Sequence, residues 1–166
     1  MFDESVLELI ARHARSGVLV DSNLLLLFLV GCCDVELIER FKRTDAFDAD
    51  DFEILSAFLG KFRRIITTPG LLSEVNSLAG TMKGEHRQTF LEIFKRQIWV
   101  LDERHIESKT ACQHTYFAKC GLTDSAILTI AKDNLLVLTN DFQLAGLLAA
   151  KEIDCLNFAN IRFPPP

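Results

Sequence analysis

The chain has 166 residues, of which 49% are hydrophobic, and its 13 Phe residues predict a sizeable core. This length and composition fit one domain and exclude an intrinsically disordered chain. The 18 Lys and Arg residues against 23 Asp and Glu give a formal net charge of −5, which argues against a nucleic-acid partner unless the acids are concentrated in one place.

Cysteine usage and hydropathy bear on the compartment. The five cysteines are scattered and odd in number, which is typical of reduced thiols in a cytoplasm rather than of a secreted disulfide framework. The apolar run at 24–30 is too short to span a bilayer, which takes about twenty residues, and the polar segment at 21–23 interrupts any signal-peptide pattern. We therefore expect a cytoplasmic protein with no membrane contact.

The first half of the chain predicts helices on either side of two strands. Residues 2–14 place apolar side chains on one broad face behind a Ser5-x-x-Glu8 capping pattern, which predicts a helix. A strand over 18–21, VLVD, stops at a carboxylate, and the apolar residues after it predict a buried helix over 22–31. The elements expected next are helices over 34–43 and 48–60, a strand over 63–69, and a helix from Pro69 to Gly80.

The second half continues this alternation. The expected elements, in chain order, are a helix over 84–97, a strand over 97–102, helices over 105–118 and 122–134, a strand over 135–141, a helix over 142–151 and a strand over 153–158. Apolar strands that alternate with helices indicate a parallel sheet covered on both faces, and therefore a three-layer α/β/α fold. Because no linker divides the chain, residues 1–166 are predicted to form a single domain, with an inserted helical segment at about 31–62 and an unpacked C-terminal tail at 162–166.

Four acidic residues fall near the carboxyl ends of the predicted strands, where the ligands of parallel α/β sheets bind. Asp21 ends the first strand and Asp141 ends the fourth. Glu74 lies about one turn past Pro69, and Asp124 opens the helix before the fourth strand. Carboxylates gathered at one edge repel one another unless a counter-ion is present, and Mg²⁺ and Mn²⁺ are hard cations that prefer oxygen ligands. The sequence therefore predicts a divalent-metal site formed by these four acids.

Each of these acids, taken alone, also has a structural explanation. Asp21 and Asp141 could cap the helices that follow them. Asp124 could be a first-turn acid favoured by the helix dipole, and Glu74 could belong to solvated surface. It is the joint placement of the four that favours a metal site.

Four short motifs contain these acids: VLVDSNLL, PGLLSEVNSLA, GLTDSAILTIAKDN and LLVLTNDFQLAG. They resemble the four acidic motifs of PIN-domain proteins, in the family's order, and the resemblance spans roughly residues 17–158. It implies a metal-dependent ribonuclease with a central five-stranded parallel sheet of strand order 3-2-1-4-5. The residues that it implies as metal ligands are Asp21, Glu74, Asp124 and Asp141, with Asn23 and Thr139 as polar support. Compact PIN toxins are also similar and would imply an antitoxin protein as partner, although this chain differs from them by its N-terminal helix and its segment 31–62.

The expected chemistry is hydrolysis of RNA phosphodiester bonds. Mg²⁺ or Mn²⁺ held by the acids would supply an activated water and neutralise phosphate oxygens, and cleavage would leave a 5′-phosphate and a 3′-hydroxyl. Outside the four acids, 18 basic residues face 19 acidic ones, so the charge objection to RNA weakens. Basic clusters at 40–43, 61–64, 83–87 and 95–96 could contact phosphates, and a homodimer could gather them into one groove.

Other functions agree with less of the sequence. A phosphatase of the haloacid dehalogenase type needs a second Asp two residues after the first, where Asn23 stands. A receiver-like phosphoacceptor needs adjacent acids near its N-terminus, and the pair Asp3-Glu4 precedes a helix instead. The alternatives that stay open are a catalytically silent binding or scaffold module and another metal-dependent phosphohydrolase.

The remaining histidines, cysteines and the tryptophan predict no second site. The segment CQHTYFAKC at 112–120 lacks the paired spacing of zinc ligands. His13 and His86 are expected in solvent. Trp99 is expected in the core rather than as a platform on which RNA bases stack.

Overall fold

The structure is a computed structural model that describes residues 2–162. Within them, five short parallel strands form one sheet: β1 (Val18–Val20), β2 (Ile65–Thr67), β3 (Asp102–Glu103), β4 (Leu136–Thr139) and β5 (Cys155–Asn157). Their order is β3-β2-β1-β4-β5, which confirms the predicted parallel sheet and its strand order. β1 lies at the centre, with Leu19 opposite Ile66 of β2 and Val137 of β4.

Ten α-helices pack around the sheet within the described residues. In chain order they are α1 (Glu4–His13), α2 (Ser22–Cys33), α3 (Leu37–Arg40), α4 (Ala49–Leu59), α5 (Pro69–Leu78), α6 (Gly84–Ile98), α7 (Ser108–Ala111), α8 (Phe117–Ile130), α9 (Phe142–Ala149) and α10 (Phe158–Arg162). A 3₁₀ turn, Ala79–Thr81, follows α5. None of the helices within residues 2–162 combines the length and the apolar character that crossing a bilayer requires.

The apolar core forms two clusters, one on each face of the sheet. Alternate residues of a strand point to opposite faces, so Val18 and Val20 join the larger cluster while Leu19 joins the smaller one. Side chains of α1, α2, α4 and α6 contribute to the larger cluster, and those of α8 and α9 to the smaller one. The chain is therefore layered as helix, sheet and helix, as the sequence predicts.

Helix α2 is the central helix of the larger cluster. Its residues 24–27 are each at most 2% exposed, as expected for a helix that is apolar on every side. Because it begins directly after β1, its N-terminus lies at the carboxyl edge of the sheet. Near its other end, Gly31 leaves room for the ring of Phe52 on α4: a Cβ at Gly31 would lie 2.2 Å from Cδ2 of that ring.

The third strand is present, but its predicted bounds over 97–102 are wrong. Helix α6 continues to Ile98, and β3 begins only at Asp102. The apolar residues between them lie in a turn, where Trp99 is 83% exposed and Val100 is 73% exposed, so the prediction of Trp99 in the core is also wrong. A short apolar run does not distinguish a strand from the end of a helix, and here the helix extends further.

The predicted helix over 105–118 is wrong as a single element. α7 is one turn, and α8 begins near the predicted end and is broken at Gly121, whose φ of +76° is left-handed. Glycine adopts this conformation without a steric penalty, so the chain changes direction there and a new helical segment begins at Leu122. That segment ends at Ile130 rather than at residue 134.

Side chains that the sequence does not single out hold both ends of α1. Its N-cap is Asp3, whose Oδ1 accepts a hydrogen bond from the backbone N of Val6 at 2.9 Å, so the expected cap at Ser5 is wrong. His13 is 1% exposed, whereas the sequence places it in solvent, and its Nε2 lies 2.7 Å from Oδ2 of Asp154. The last turn of α1 is thereby joined to the loop that precedes β5.

Two further segments differ from expectation. The helix predicted over 34–43 is reduced to the single turn α3, because the chain turns at Thr44, whose hydroxyl donates to a carbonyl of α3 at 2.8 Å. The C-terminal tail is expected to be unpacked from residue 162, but Arg162 ends α10 and its Nε lies 2.7 Å from Oδ1 of Asp51. That prediction is wrong for Arg162, and residues 163–166 lie outside the described residues.

The close contact between α2 and α4 leaves no space for an added methyl group at Gly31. We expect Gly31→Ala to lower the free energy of unfolding by about 1–3 kcal/mol, because the added methyl overlaps the ring of Phe52. Urea unfolding followed by circular dichroism measures this change.

The matched control is Gly146→Ala, which lies in α9 with nothing within 4 Å of its added Cβ. It should raise stability by about 0.5–1 kcal/mol, since Ala favours a helix over Gly. Gly31→Ala combined with Phe52→Leu should recover part of the loss. If Gly31→Ala is as stable as Gly146→Ala, the two helices do not pack as described.

Candidate metal centre

Asp21 lies directly after β1 and caps helix α2. Its Oδ1 accepts a hydrogen bond from the backbone N of Leu24 at 2.8 Å, so the predicted capping explanation holds for this residue. Its Oδ2 accepts from the backbone N of Asn140 at 2.9 Å and from the hydroxyl of Thr139. With 6% of its surface exposed, this carboxylate is held in one orientation by groups from α2 and the end of β4.

Asp141 follows β4 and caps helix α9. Its Oδ1 accepts from the backbone N of Gln143 at 2.6 Å and of Leu144 at 3.1 Å. Its own backbone N donates to Oγ1 of Thr139 at 3.0 Å, the same hydroxyl that donates to Asp21. Thr139, predicted as polar support, therefore joins the ends of the two central strands.

Glu74 and Asp124 are less well compensated than the two caps. Glu74 extends from α5, and its Oε2 is buried without a hydrogen-bond partner. Asp124 lies in the first turn of the segment that begins after Gly121, and it is partly buried. Within residues 2–162, neither carboxylate accepts a hydrogen bond, and none of the four acids forms an ion pair with Lys, Arg or His.

The electrostatics show that the four carboxylates lie within reach of one another. The pKa of Asp124 is raised to about 6, first by burial and then by the charges of Asp141, Glu74 and Asp21, in that order of importance. Burial also raises the pKa of Asp21, although its hydrogen bonds, that from Thr139 above all, act in the opposite direction. The fold thus gathers at one sheet edge four acids that the sequence separates by as many as 120 residues.

The donor set at this edge fits a hard divalent cation. Within residues 2–162, no three His, Cys, Asp or Glu side chains converge as a ready-made metal-binding group. All the available donors are oxygens, which Mg²⁺ and Mn²⁺ prefer. One of them, Oε2 of Glu74, is buried without any hydrogen bond, which costs free energy unless a cation or another donor binds there.

The surroundings of the acids differ from expectation at two residues. Asn23, predicted as polar support, is exposed on α2 and forms no hydrogen bond with the four acids in the described part of the chain. Asn140, which the sequence does not single out, donates its backbone N–H to Asp21. The sequence signal that could have identified Asn140 is its position directly after a parallel strand, at the edge of the sheet where ligands bind.

The raised pKa of Asp124 predicts how the metal-free protein responds to pH. Because this pKa is about 6 in the folded protein against 3.8 for a free side chain, the folded state binds more protons between these values. The free energy of unfolding should therefore fall as the pH rises from 4 to 6, and Asp21 contributes with the same sign. Asp124→Asn should remove about 1–2 kcal/mol of this fall, a value below the full shift because the carboxylate is partly exposed.

Chemical unfolding in EDTA at several pH values measures this dependence. The control is Asp133→Asn, an exposed acid just beyond the same helix, which should leave the profile unchanged. The variant Asp124→Asn should also be more stable than the wild type at neutral pH. A lower stability at that pH would mean that the other acids do not repel Asp124.

Metal binding by these acids should also raise the thermal stability of the protein. Mg²⁺ or Mn²⁺ should raise the melting temperature of the wild type, since a ligand that binds only the folded state stabilises it, by about 2.7 kcal/mol at a hundred times its Kd. The gain should shrink in Asp124→Asn and Glu74→Gln and persist in Asp133→Asn. Melting curves that do not respond to either metal would contradict a metal centre at this edge.

Comparisons with known proteins add no relative. No family model, no curated protein and no solved structure matches this chain. The resemblance to PIN-domain proteins therefore stays a prediction from four short motifs, and the case for the site depends on the geometry of its own carboxylates.

Proposed function

We propose that this protein is a Mg²⁺- or Mn²⁺-dependent ribonuclease that uses Asp21, Glu74, Asp124 and Asp141. The single observation that carries the proposal is the uncompensated state of Asp124 and Glu74. Both carboxylates lie beside two further acids, and neither has a hydrogen bond or a basic partner within the described residues. A fold does not retain such a cluster for stability, because like charges and unpaired buried oxygens both destabilise it.

The four acids would have different tasks at the site. Glu74 and Asp124 have both carboxylate oxygens available and would bind the cation. Asp21 is fixed by Thr139, Leu24 and Asn140, so it would present an oriented carboxylate edge. When bound, the cation would supply an activated water and offset the charge of the scissile phosphate.

RNA is the substrate that the motif resemblance suggests, and the strand order agrees with what that resemblance implies. Single-stranded RNA could pass over the exposed carboxyl edge, and the basic clusters at 40–43, 61–64, 83–87 and 95–96 could attract its phosphates. The same resemblance makes an antitoxin protein a partner to test for, and a homodimer would bring two sets of basic clusters together. We also propose a cytoplasmic location, because the cysteine usage of the chain is typical of a reducing compartment.

A silent binding or scaffold module is the second candidate, and one observation favours it. Asp21 and Asp141 each cap a helix, so a structural task accounts for two of the four acids without any metal. That explanation leaves Glu74 and Asp124 without a role. The two candidates therefore differ most sharply in the effect of substituting these two residues.

The decisive experiment follows cleavage of end-labelled single-stranded RNA. We expect cleavage with Mn²⁺ or Mg²⁺ and none in EDTA, with products that carry a 5′-phosphate and a 3′-hydroxyl. Asp124→Asn and Glu74→Gln should each lower the rate by about a hundredfold or more, because each removes charge that the transition state requires.

The matched controls are Asp133→Asn and Glu92→Gln, two exposed acids away from the carboxyl edge, which should cleave as the wild type does. The chemistry of the product ends also reveals a contaminating ribonuclease. Metal-independent ribonucleases that use the 2′-hydroxyl leave a cyclic phosphate or a 3′-phosphate instead. Cleavage that survives EDTA, or that Asp124→Asn and Glu74→Gln both retain, would leave the scaffold as the better account.

A further inference from the structure

A pocket opens between the two helices that carry Glu74 and Asp124. It has a volume of about 180 Å³ and opens between the N-terminus of α5, at Pro69 and Gly70, and the second half of α8, at Leu122 and Thr123. Glu74 lies one helical turn beyond Gly70, and the residue after Thr123 is Asp124. The lining of this pocket, which we call the α5–α8 pocket, is therefore continuous with the helical turns that carry two of the carboxylates.

The walls of the α5–α8 pocket are apolar and uncharged. Its apolar lining residues include Pro69, Ile106, Ala111 and Leu122, and no Lys or Arg lines it. Leu122 is 46% exposed and directly follows the break in α8 at Gly121. A phosphate would find no positive charge in this pocket, whereas a flat apolar group would find a matching surface.

Hydroxyl groups lie around this apolar surface. Thr68 accepts from the backbone N of Leu71 at 3.1 Å, which leaves its own hydrogen free to donate. The hydroxyls of Ser108 and Thr123 form no hydrogen bond within the described residues, and the ring of His105 is exposed beside them. A mostly apolar pocket with a few polar groups is typical of a site that binds and orients a small ligand.

We propose that the α5–α8 pocket holds one unpaired base of an RNA substrate, next to the phosphate at the acid cluster. This inference rests on the proposed function and adds its substrate requirement. A base is the neutral, flat part of a nucleotide, so it suits walls without cations, and the hydroxyls can bond to its edge. The volume is smaller than the about 300–1,000 Å³ of sites for drug-sized ligands, so it admits one ring system rather than a base pair. The substrate is therefore single-stranded at this position.

The test uses single-stranded RNAs that each lack one base, with cleavage by the wild type in Mn²⁺. Removing the base at one position beside the cleaved bond should lower kcat/KM about tenfold or more, within the range for loss of one stacked base. Leu122→Ser should cleave the intact RNA and this abasic RNA at rates within about twofold of each other, because the contact is already lost.

Two pairs of variants control for effects on folding. Leu91→Ser changes a side chain of similar exposure on α6, 42% against 46% for Leu122, and should keep the full dependence on the base. Gly70→Leu should fill the pocket and abolish the dependence, whereas Gly80→Leu should keep it, since Gly80 lies in the 3₁₀ turn outside the pocket with nothing within 4 Å of its added Cβ. Circular dichroism checks that all four variants fold.

The outcomes separate this inference from the proposed function. If the wild type cleaves RNA but every abasic RNA is cleaved equally, or Leu122→Ser behaves as Leu91→Ser does, the pocket does not hold a base and the ribonuclease proposal stands. If the wild type cleaves no RNA, binding of the same RNAs to Asp124→Asn, measured by fluorescence anisotropy, decides. About tenfold weaker binding of one abasic RNA, lost when Leu122→Ser is added, supports the pocket, and equal binding overturns it.

Discussion

The carboxyl edge of the sheet is organised by one hydroxyl group. Oγ1 of Thr139 accepts from the backbone N of Asp141 at 3.0 Å and donates to Oδ2 of Asp21, so a single oxygen joins the ends of β4 and β1. Thr139 is fully buried, and hydrogen bonds in such surroundings are costly to lose because no water replaces them. The orientation of Asp21, the start of α2 and the start of α9 all depend on it.

The fold compensates the charges of the acids unequally. Asp21 and Asp141 each accept backbone N–H groups at a helix N-terminus, where the helix dipole also favours a negative charge. Asp124 lies in the first turn of the segment after Gly121 and shares the dipole, but within the described residues neither Asp124 nor Glu74 accepts a hydrogen bond. The chain can therefore fold with all four acids in place. A bound cation would gain most of its binding free energy from Glu74 and Asp124, whose oxygens accept no hydrogen bond within the described residues.

Local sequence predicted the parts of the site that depend on one strand and the residue after it. Apolar strands followed at once by Asp21 and Asp141 indicate a carboxyl edge, and the alternation of a strand turns Thr139 inward. The partner of His13 was not predictable in this way, because Asp154 lies 141 residues away and no local pattern connects them. The prediction also failed at 97–102, where an apolar run belongs to a helix end and an exposed turn.

The exposed turn after α6 has a practical consequence. Trp99 is the only tryptophan of the chain, and 83% of its surface is in contact with solvent. An indole that is already hydrated in the native state emits at long wavelength before and after unfolding, so intrinsic fluorescence will change little when the core melts. The same indole will respond strongly to any molecule that covers the end of α6, which makes it a natural optical reporter of association at that surface.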